Sequence, residues 1–342
     1  DKGYSHNILS AKIFMERVNV DGIRINDVKN IIAKAILLHH PANGDFEERT
    51  YSFFGPKDER LKYVTDDDIK ITDGFVDVFI NEYNTLAESL GYESRLSKNN
   101  SESETFTNFS FFKDNPSKMS NNHILNYTSG VLRFSDIISS SGDDIEKYTK
   151  PANNFNISSF VCPEKYDKDR FAKQMYVANE MSERPISAIT ATTSFGKTLV
   201  GLVWGLLNDR KLIWVCPTNQ IARGIYRSIV NELSELGLSN SVSIGLLLTN
   251  RWEYGKELGT LNDIIVTNFD NYARPVFKSD GKKHLSYNIN HSNVIFDEFH
   301  QYATDDAILA DFITSLRARA ISKCNRTLLM SATPNEKLFN FI

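Results

Sequence analysis

The sequence predicts two domains: a mainly α-helical front half followed by an α/β domain built on a parallel sheet. Three observations predict it. A chain of 342 residues is more readily two domains than one. The first 150 residues carry apolar positions at helical spacing. From about residue 166 the rhythm changes to short apolar runs alternating with helical stretches, the pattern of repeated β-α units.

In the front half, HNILSAKIFMERV, INDVKNIIAKAILLHH, ITDGFVDVFINEYNTLAESL and NHILNYTSGVLRFSDIISS read as helices. Polar tracts between them, such as SKNNSESETFTN, read as loops. SSSGDD and KPANN mark a linker, so the expected boundaries are a first domain at 1–150, a linker at 151–165 and a second domain at 166–342. In that second domain PISAIT, KLIWVCP, SVSIGLLL, DIIVTN, NVIFDE and RTLLMSA are six candidate buried strands. A parallel sheet of this kind binds ligands at the carboxyl ends of its strands.

Bulk composition narrows the setting. Hydrophobic residues make up 41% and charged residues 24%, an ordinary globular balance. No apolar run reaches the roughly 18 residues of a membrane span, and DKGYSHNILS lacks the order of a secretory signal. The three cysteines, Cys162, Cys216 and Cys324, are too scattered for a disulfide framework or a zinc site. A reducing, cytoplasmic setting and no membrane partner are therefore expected. The net charge is −4, so any nucleic-acid surface must be a local patch. The chain opens without Met and stops at FNFI shortly after a strand, which reads as a fragment cut at both ends.

The stretch TATTSFGKTL, 190–199, joins a strand candidate to a helix candidate. A phosphate loop needs that context. Backbone N–H groups of Ser194, Phe195, Gly196, Lys197 and Thr198 would face a β-phosphate, with the helix dipole behind them. Lys197 would reach the β- and γ-phosphates, and the Thr198 hydroxyl would ligate Mg²⁺. Ala191 stands where the first glycine of such a loop is usual, and alone the stretch reads equally well as a polar turn. The second piece is NVIFDEFH, a hydrophobic strand that ends in Asp297 and Glu298, about 100 residues past the lysine. In a nucleotide site the first acid holds the Mg²⁺ shell and the second orients and deprotonates water; the bland alternative is a solvated strand end.

This pair of motifs resembles superfamily 2 helicases of the DExH kind, whose lobe is RecA-like. PTNQIARGIY, with Pro217 and Thr218, is similar to the motif that touches the nucleic-acid backbone, and VTNFDNY, around Thr267, to the next strand-end contact. LLMSATP, with Ser331, Ala332 and Thr333, resembles the motif that couples nucleotide state to the strand. RFAKQ places Gln174 where the family reads adenine. Five elements in the family's order over some 165 residues carry the resemblance. It implies ATP and Mg²⁺ as cofactors and covers the first lobe alone, so the second lobe with its arginine finger is expected to lie outside this sequence.

The front half holds His6 in SHNILSA, His39 and His40 in ILLHHPANGD, and Asp136 in VLRFSDIISSS. Imidazoles and a carboxylate suit a borderline transition metal, which makes a nucleophile of bound water; a single helical His is more often structural. Together with the helicase lobe, these residues resemble the CRISPR-associated helicase–nuclease of type I interference systems. In that family an HD-type nuclease, with His opening an H-x-x-x-S-A helix, precedes the helicase; here His6, Ser10 and Ala11 match. The resemblance implies that His6, His39, His40 and Asp136, with Ser139 after it, hold a divalent Mn, Fe, Ni or Co. It implies single-stranded DNA as substrate and an RNA-guided, Cascade-type surveillance complex as partner. The family's His-Asp dyad precedes the His6 helix and is absent from this sequence. Two further readings stand beside this one: a restriction or repair translocase with a metal-free helical domain, and a nucleotide-gated scaffold that never completes hydrolysis.

Overall fold

The computed structural model describes residues 18–21, 77, 80–81, 84, 95–98, 132, 146–248, 251–255, 262–277, 289, 291–321 and 325–333. The chain divides into two compact units, 1–133 and 134–342.

In the first unit, Asp77, Ile80, Asn81 and Asn84 are helical, as the apolar spacing across 71–90 predicts, and so is Leu132. Two strands were not predicted. β1 (Val18–Asp21) pairs antiparallel with β2 (Arg95–Lys98), Val20 opposite Leu96. The apolar spacing predicts a helix that runs to Val18, and the polar tract predicts a loop that starts at Ser97 and Lys98. RLSK carries one apolar residue, Leu96, so it has no alternation to reveal a strand. Its other side is held by a side chain: Asn84 Nδ2 donates to Leu96 O at 2.9 Å, and Leu96 N–H donates to Asn84 Oδ1 at 2.8 Å. One carboxamide thus supplies the donor and acceptor that a neighbouring strand would have given.

The second unit begins with a short helix α1 (Glu146–Thr149) and then α2 (Lys168–Ser182), whose N-cap Asp167 accepts from Arg170 N–H. There follow β3 (Ile186–Thr190), α3 (Lys197–Leu206), β4 (Leu212–Cys216), α4 (Asn219–Glu235), β5 (Ile244–Leu248), β6 (Arg251–Tyr254), β7 (Ile264–Asn268), α5 (Phe269–Phe277), β8 (Asn293–Phe296), α6 (Asp306–Ile321) and β9 (Thr327–Ser331). All six predicted strands are present. They lie in one sheet of order β3-β9-β8-β4-β7-β5-β6. Every pairing among the six is parallel.

The parallel-sheet expectation needs one correction: β6 is a seventh strand, antiparallel to β5 at the edge. Only two residues separate β5 from β6, too few for the crossover a parallel partner requires, so the chain returns as a hairpin. RWEY escaped prediction because an edge strand exposed at both ends lacks an apolar run.

Alternation on the central strands fills two cores. Leu212, Trp214 and Cys216 of β4 face the cluster made with α2, α3 and α4, whereas Ile213 and Val215 face the cluster made with α5 and α6. Helix α3 lies tight on the sheet at Gly201, where a Cβ would meet Trp214 at 2.8 Å and Met330 Sδ at 3.0 Å. None of the described helices is long and apolar enough to cross a membrane.

Residues 151–165 pack on this same unit. Ala152 N–H donates to Asp263 Oδ1 at 2.7 Å and Asn153 Nδ2 to Ser241 O at 2.6 Å. Phe160 is buried in the core with Phe171 and Met175, and Tyr166, the first residue past the segment, donates its hydroxyl to Glu232 at 2.6 Å. Phe160→Ala should therefore lower the unfolding free energy of this unit by about 3 kcal/mol, measured by urea denaturation. An unchanged midpoint would show that 151–165 contributes nothing to the core.

Candidate nucleotide site at the strand ends

Strand order decides which loops meet. β9 lies between β3 and β8, so the loop after β3, the Ser331 end of β9 and the acids after β8 form one row at the carboxyl edge. The polar residues of that row gather because buried parallel strands offer water access only at their ends.

The loop after β3 makes a 3₁₀ turn at Thr193–Phe195, then Gly196 takes φ +82° and α3 begins at Lys197. That left-handed backbone suits glycine, and a Cβ there would also collide with the Gln174 side chain. Two side chains of α2 hold the loop from outside: Arg170 donates to Ser194 O and Gln174 Nε2 donates to Phe195 O. Arg170 was not foreseen; its signal is its place one turn before Gln174 on the same helix face.

Lys197 is 7% exposed, and its ammonium donates to Ala191 O at 3.0 Å and to Glu298 Oε1 at 3.3 Å. The other carboxylate oxygen of Glu298 accepts from Ala332 N–H at 2.9 Å. Glu298 thus bridges the lysine of one loop to the backbone of another. Its own backbone is left-handed, φ 44° and ψ 46°, an arrangement that costs a non-glycine residue roughly 1 kcal/mol or more. The turn aims its carboxylate back along the sheet edge, and strain of this kind concentrates at functional sites.

Asp297 is buried. Its Oδ1 accepts from Glu298 N–H at 3.0 Å and its Oδ2 from the Trp214 indole at 3.4 Å. Burial first, and then the charge of Glu298, push its carboxyl up from 3.8 to about 6, against the pull of Trp214, the Glu298 N–H and Lys197. A dication is the partner that would restore its charge.

His300, the last residue of NVIFDEFH and not singled out from sequence, joins the acids to β9. Its Nδ1 lies 2.8 Å from Ser331 Oγ and 3.4 Å from Glu298 Oε2. Ser331 Oγ also lies 2.7 Å from Thr333 O, to which its hydroxyl can donate.

The structure therefore brings together Gln174, Ser194, Phe195, Gly196, Lys197, Asp297, Glu298, Ser331, Ala332 and Thr333. Thr198 follows Lys197 at the start of α3 and is half-buried. Farther along the same edge, Pro217 and Thr218 lead into α4, where the Thr218 hydroxyl caps the helix by accepting from Ile221 N–H. Thr267 does not present its hydroxyl at the edge: it is 2% exposed and donates to Leu247 O at 2.8 Å inside the sheet. A β-branched residue in the last full row of a buried strand spends its hydroxyl on the neighbouring backbone. His6, His39, His40 and Asp136 lie outside the described residues, and among those described no cluster of His, Cys, Asp and Glu could hold a metal ion.

In the folded protein the Asp297 carboxyl keeps its proton up to about pH 6, whereas an unfolded carboxyl releases it near 3.8. The native state binds more protons in that window, so stability falls as pH rises through it. Asp297→Asn cannot ionise. Between about pH 4 and pH 8, in magnesium-free buffer, its stability relative to the parent should improve by up to ~3 kcal/mol, as measured by urea unfolding at each pH. A difference that stays constant across the range would contradict the buried carboxyl.

The DEAD/DEAH box helicase family matches residues 171–341, half of the chain. Among solved structures, T. fusca Cas3 with AMPPNP is similar with a TM-score of 0.51 and 13% identity, over 92% of this chain and 38% of that one. The E. coli DExH-box NTPase HrpB is similar with a TM-score of 0.37 and 19% identity, over 52% and 21%. S. cerevisiae Dbp5 bound to RNA and ADP BeF3 gives 0.33 and 16%, over 50% and 46%. The chain thus spans less than half the length of each of these proteins. No curated protein matches it.

Proposed function

The chain belongs to the DEAD/DEAH box helicases, and on that premise we propose that residues 166–342 form the first ATP-binding lobe of a nucleic-acid translocase. The observation that carries this reading is the convergence of Lys197, Glu298 and Ala332 from three strand ends on one ion pair and one hydrogen bond. The residues present fit Mg²⁺–ATP: a buried ammonium, a buried carboxyl short of a cation, and a glycine turn with no room for a side chain. Bound there, Mg²⁺–ATP would supply the phosphoryl group to be transferred and the cation that neutralises it.

The chain's own residues then divide the work. The backbone of Ser194, Phe195, Gly196 and Thr198 cradles phosphate oxygens at the start of α3. Gln174 reads the adenine edge while its amide steadies Phe195. The Thr198 hydroxyl and the Asp297 carboxylate would hold Mg²⁺. Lys197 turns its charge from Glu298 to phosphate. Glu298, released from the ammonium, would orient water and take its proton. Because Glu298 also holds Ala332 N–H and faces His300, whose ring meets Ser331, its rearrangement is passed to residues 331–333. Glu298→Gln keeps the shape and the Ala332 contact but cannot accept a proton. It should bind an ATP analogue as the parent does, while the intact protein loses ATPase by roughly a hundredfold or more. A variant that hydrolyses at the parental rate would remove Glu298 from the chemistry.

We further propose that residues 1–150 are an HD-type nuclease, joined through 151–165 to the RecA-like lobe at 166–342. The sequence match of His6, His39, His40 and Asp136 supports it, as does a fold likeness to T. fusca Cas3 that extends over most of the chain. These four residues would bind a transition metal, Mn, Fe, Ni or Co, that cleaves single-stranded DNA. In the cell the protein would act in the cytoplasm after recruitment by a Cascade-type complex. The intact protein supplied with manganese, nickel or cobalt should cut single strands, and His39→Ala with His40→Ala should abolish cutting while ATPase persists. Parental cutting by that variant would favour a translocase with a metal-free front domain.

A further inference from the structure

Asn268, the last residue of β7, has both ends of its carboxamide engaged in different helices. Its Oδ1 accepts from Asn271 N–H at 2.8 Å, three residues on, and so acts as the N-cap of α5. Its Nδ2 donates at 2.6 Å to Oδ1 of Asn219, the first residue of α4. β4 and β7 are neighbours, with Cys216 opposite Asn268, so the loop from β4 to α4 and the junction of β7 with α5 lie side by side. Asn219 and Asn268 are both half-buried, whereas Thr267, one position earlier, is buried with its hydroxyl committed inside the sheet.

We propose that the Asn219–Asn268 bridge positions these two junctions as one rigid grip for the backbone of a single nucleic-acid strand. This rests on the translocase reading above. The reasoning is one of spacing. Thr218 is exposed at the start of α4, and the α5 start lies across the bridge. A strand crossing both needs them at a fixed separation, since successive phosphates have a fixed repeat. Two surface junctions held only by their own strands would each sway independently, and the ordering cost would fall on binding. A short hydrogen bond between two carboxamides removes that freedom beforehand. Both Asn residues act through the backbone they hold; neither is assigned contact with a base.

The cap and the bridge can be separated. Asn268→Ser retains an N-cap oxygen for α5 but is too short to reach Asn219. Asn219→Ala removes the same bridge from the other side. In the intact protein, binding of a fluorescent single-stranded oligonucleotide should weaken by about fivefold in each variant, the worth of one ordinary hydrogen bond. The double variant should be no weaker than either single one, because both remove one interaction. The DNA concentration giving half-maximal ATPase should rise in parallel while affinity for an ATP analogue stays within about twofold. Parental oligonucleotide affinity in Asn268→Ser, or additive losses in the double variant, would overturn the bridge and leave the translocase reading standing. A parent protein that binds no single strand at all would overturn both.

Discussion

A lysine ammonium shut away from water needs an anion and an acceptor within reach, and the site is organised by how Lys197 meets that need. It takes the carbonyl of Ala191 at the base of its own loop and the carboxylate of Glu298 from β8. Since β9 runs between those two strands, the same carboxylate is in place to accept from Ala332 N–H. One anion therefore ties three strand ends together. The resting ion pair thereby links the Lys197 loop to the neighbouring segment 331–333.

Asp297 shows the opposite arrangement. It is held by neutral donors, Trp214 and the Glu298 N–H, in a place where burial disfavours its charge. The fold tolerates a carboxyl that is poorly compensated in the resting state. Such a group gains most from a cation beside it, because burial is what disfavours its charge. The left-handed backbone at Glu298 belongs to the same account, since it is the turn that separates the two acids and aims them differently.

Away from the nucleotide row, the strand ends are managed by carboxamides. Asn84 pairs with both backbone groups of Leu96 along the side of β2, and Asn268 at the end of β7 caps one helix while holding another. A carboxamide presents donor and acceptor together, so a single side chain can satisfy two backbone groups or link two elements. That property gives the edge of a buried sheet rigid connections without charge.

The sequence by itself determined the six parallel strands, the helices between them and the glycine–lysine turn, because burial on both faces demands continuous apolar runs and a left-handed turn demands glycine. It also determined that Asp297 and Glu298 end a strand. It missed β6, β1 and β2, short segments that carry no strand period, and read Val18 as the end of a helix and Ser97 and Lys98 as loop. It pointed to Thr267 as a surface contact, whereas the hydroxyl is spent inside the sheet, since one residue of strand phase separates an exposed end from a buried row. Tertiary structure alone decided that β9 would lie between β3 and β8, that His300 would reach Ser331, and that Asn268 would find Asn219. Each joins residues that local chain physics leaves independent: strand order follows from how crossovers pack on two faces of a sheet, and no window of sequence contains that choice.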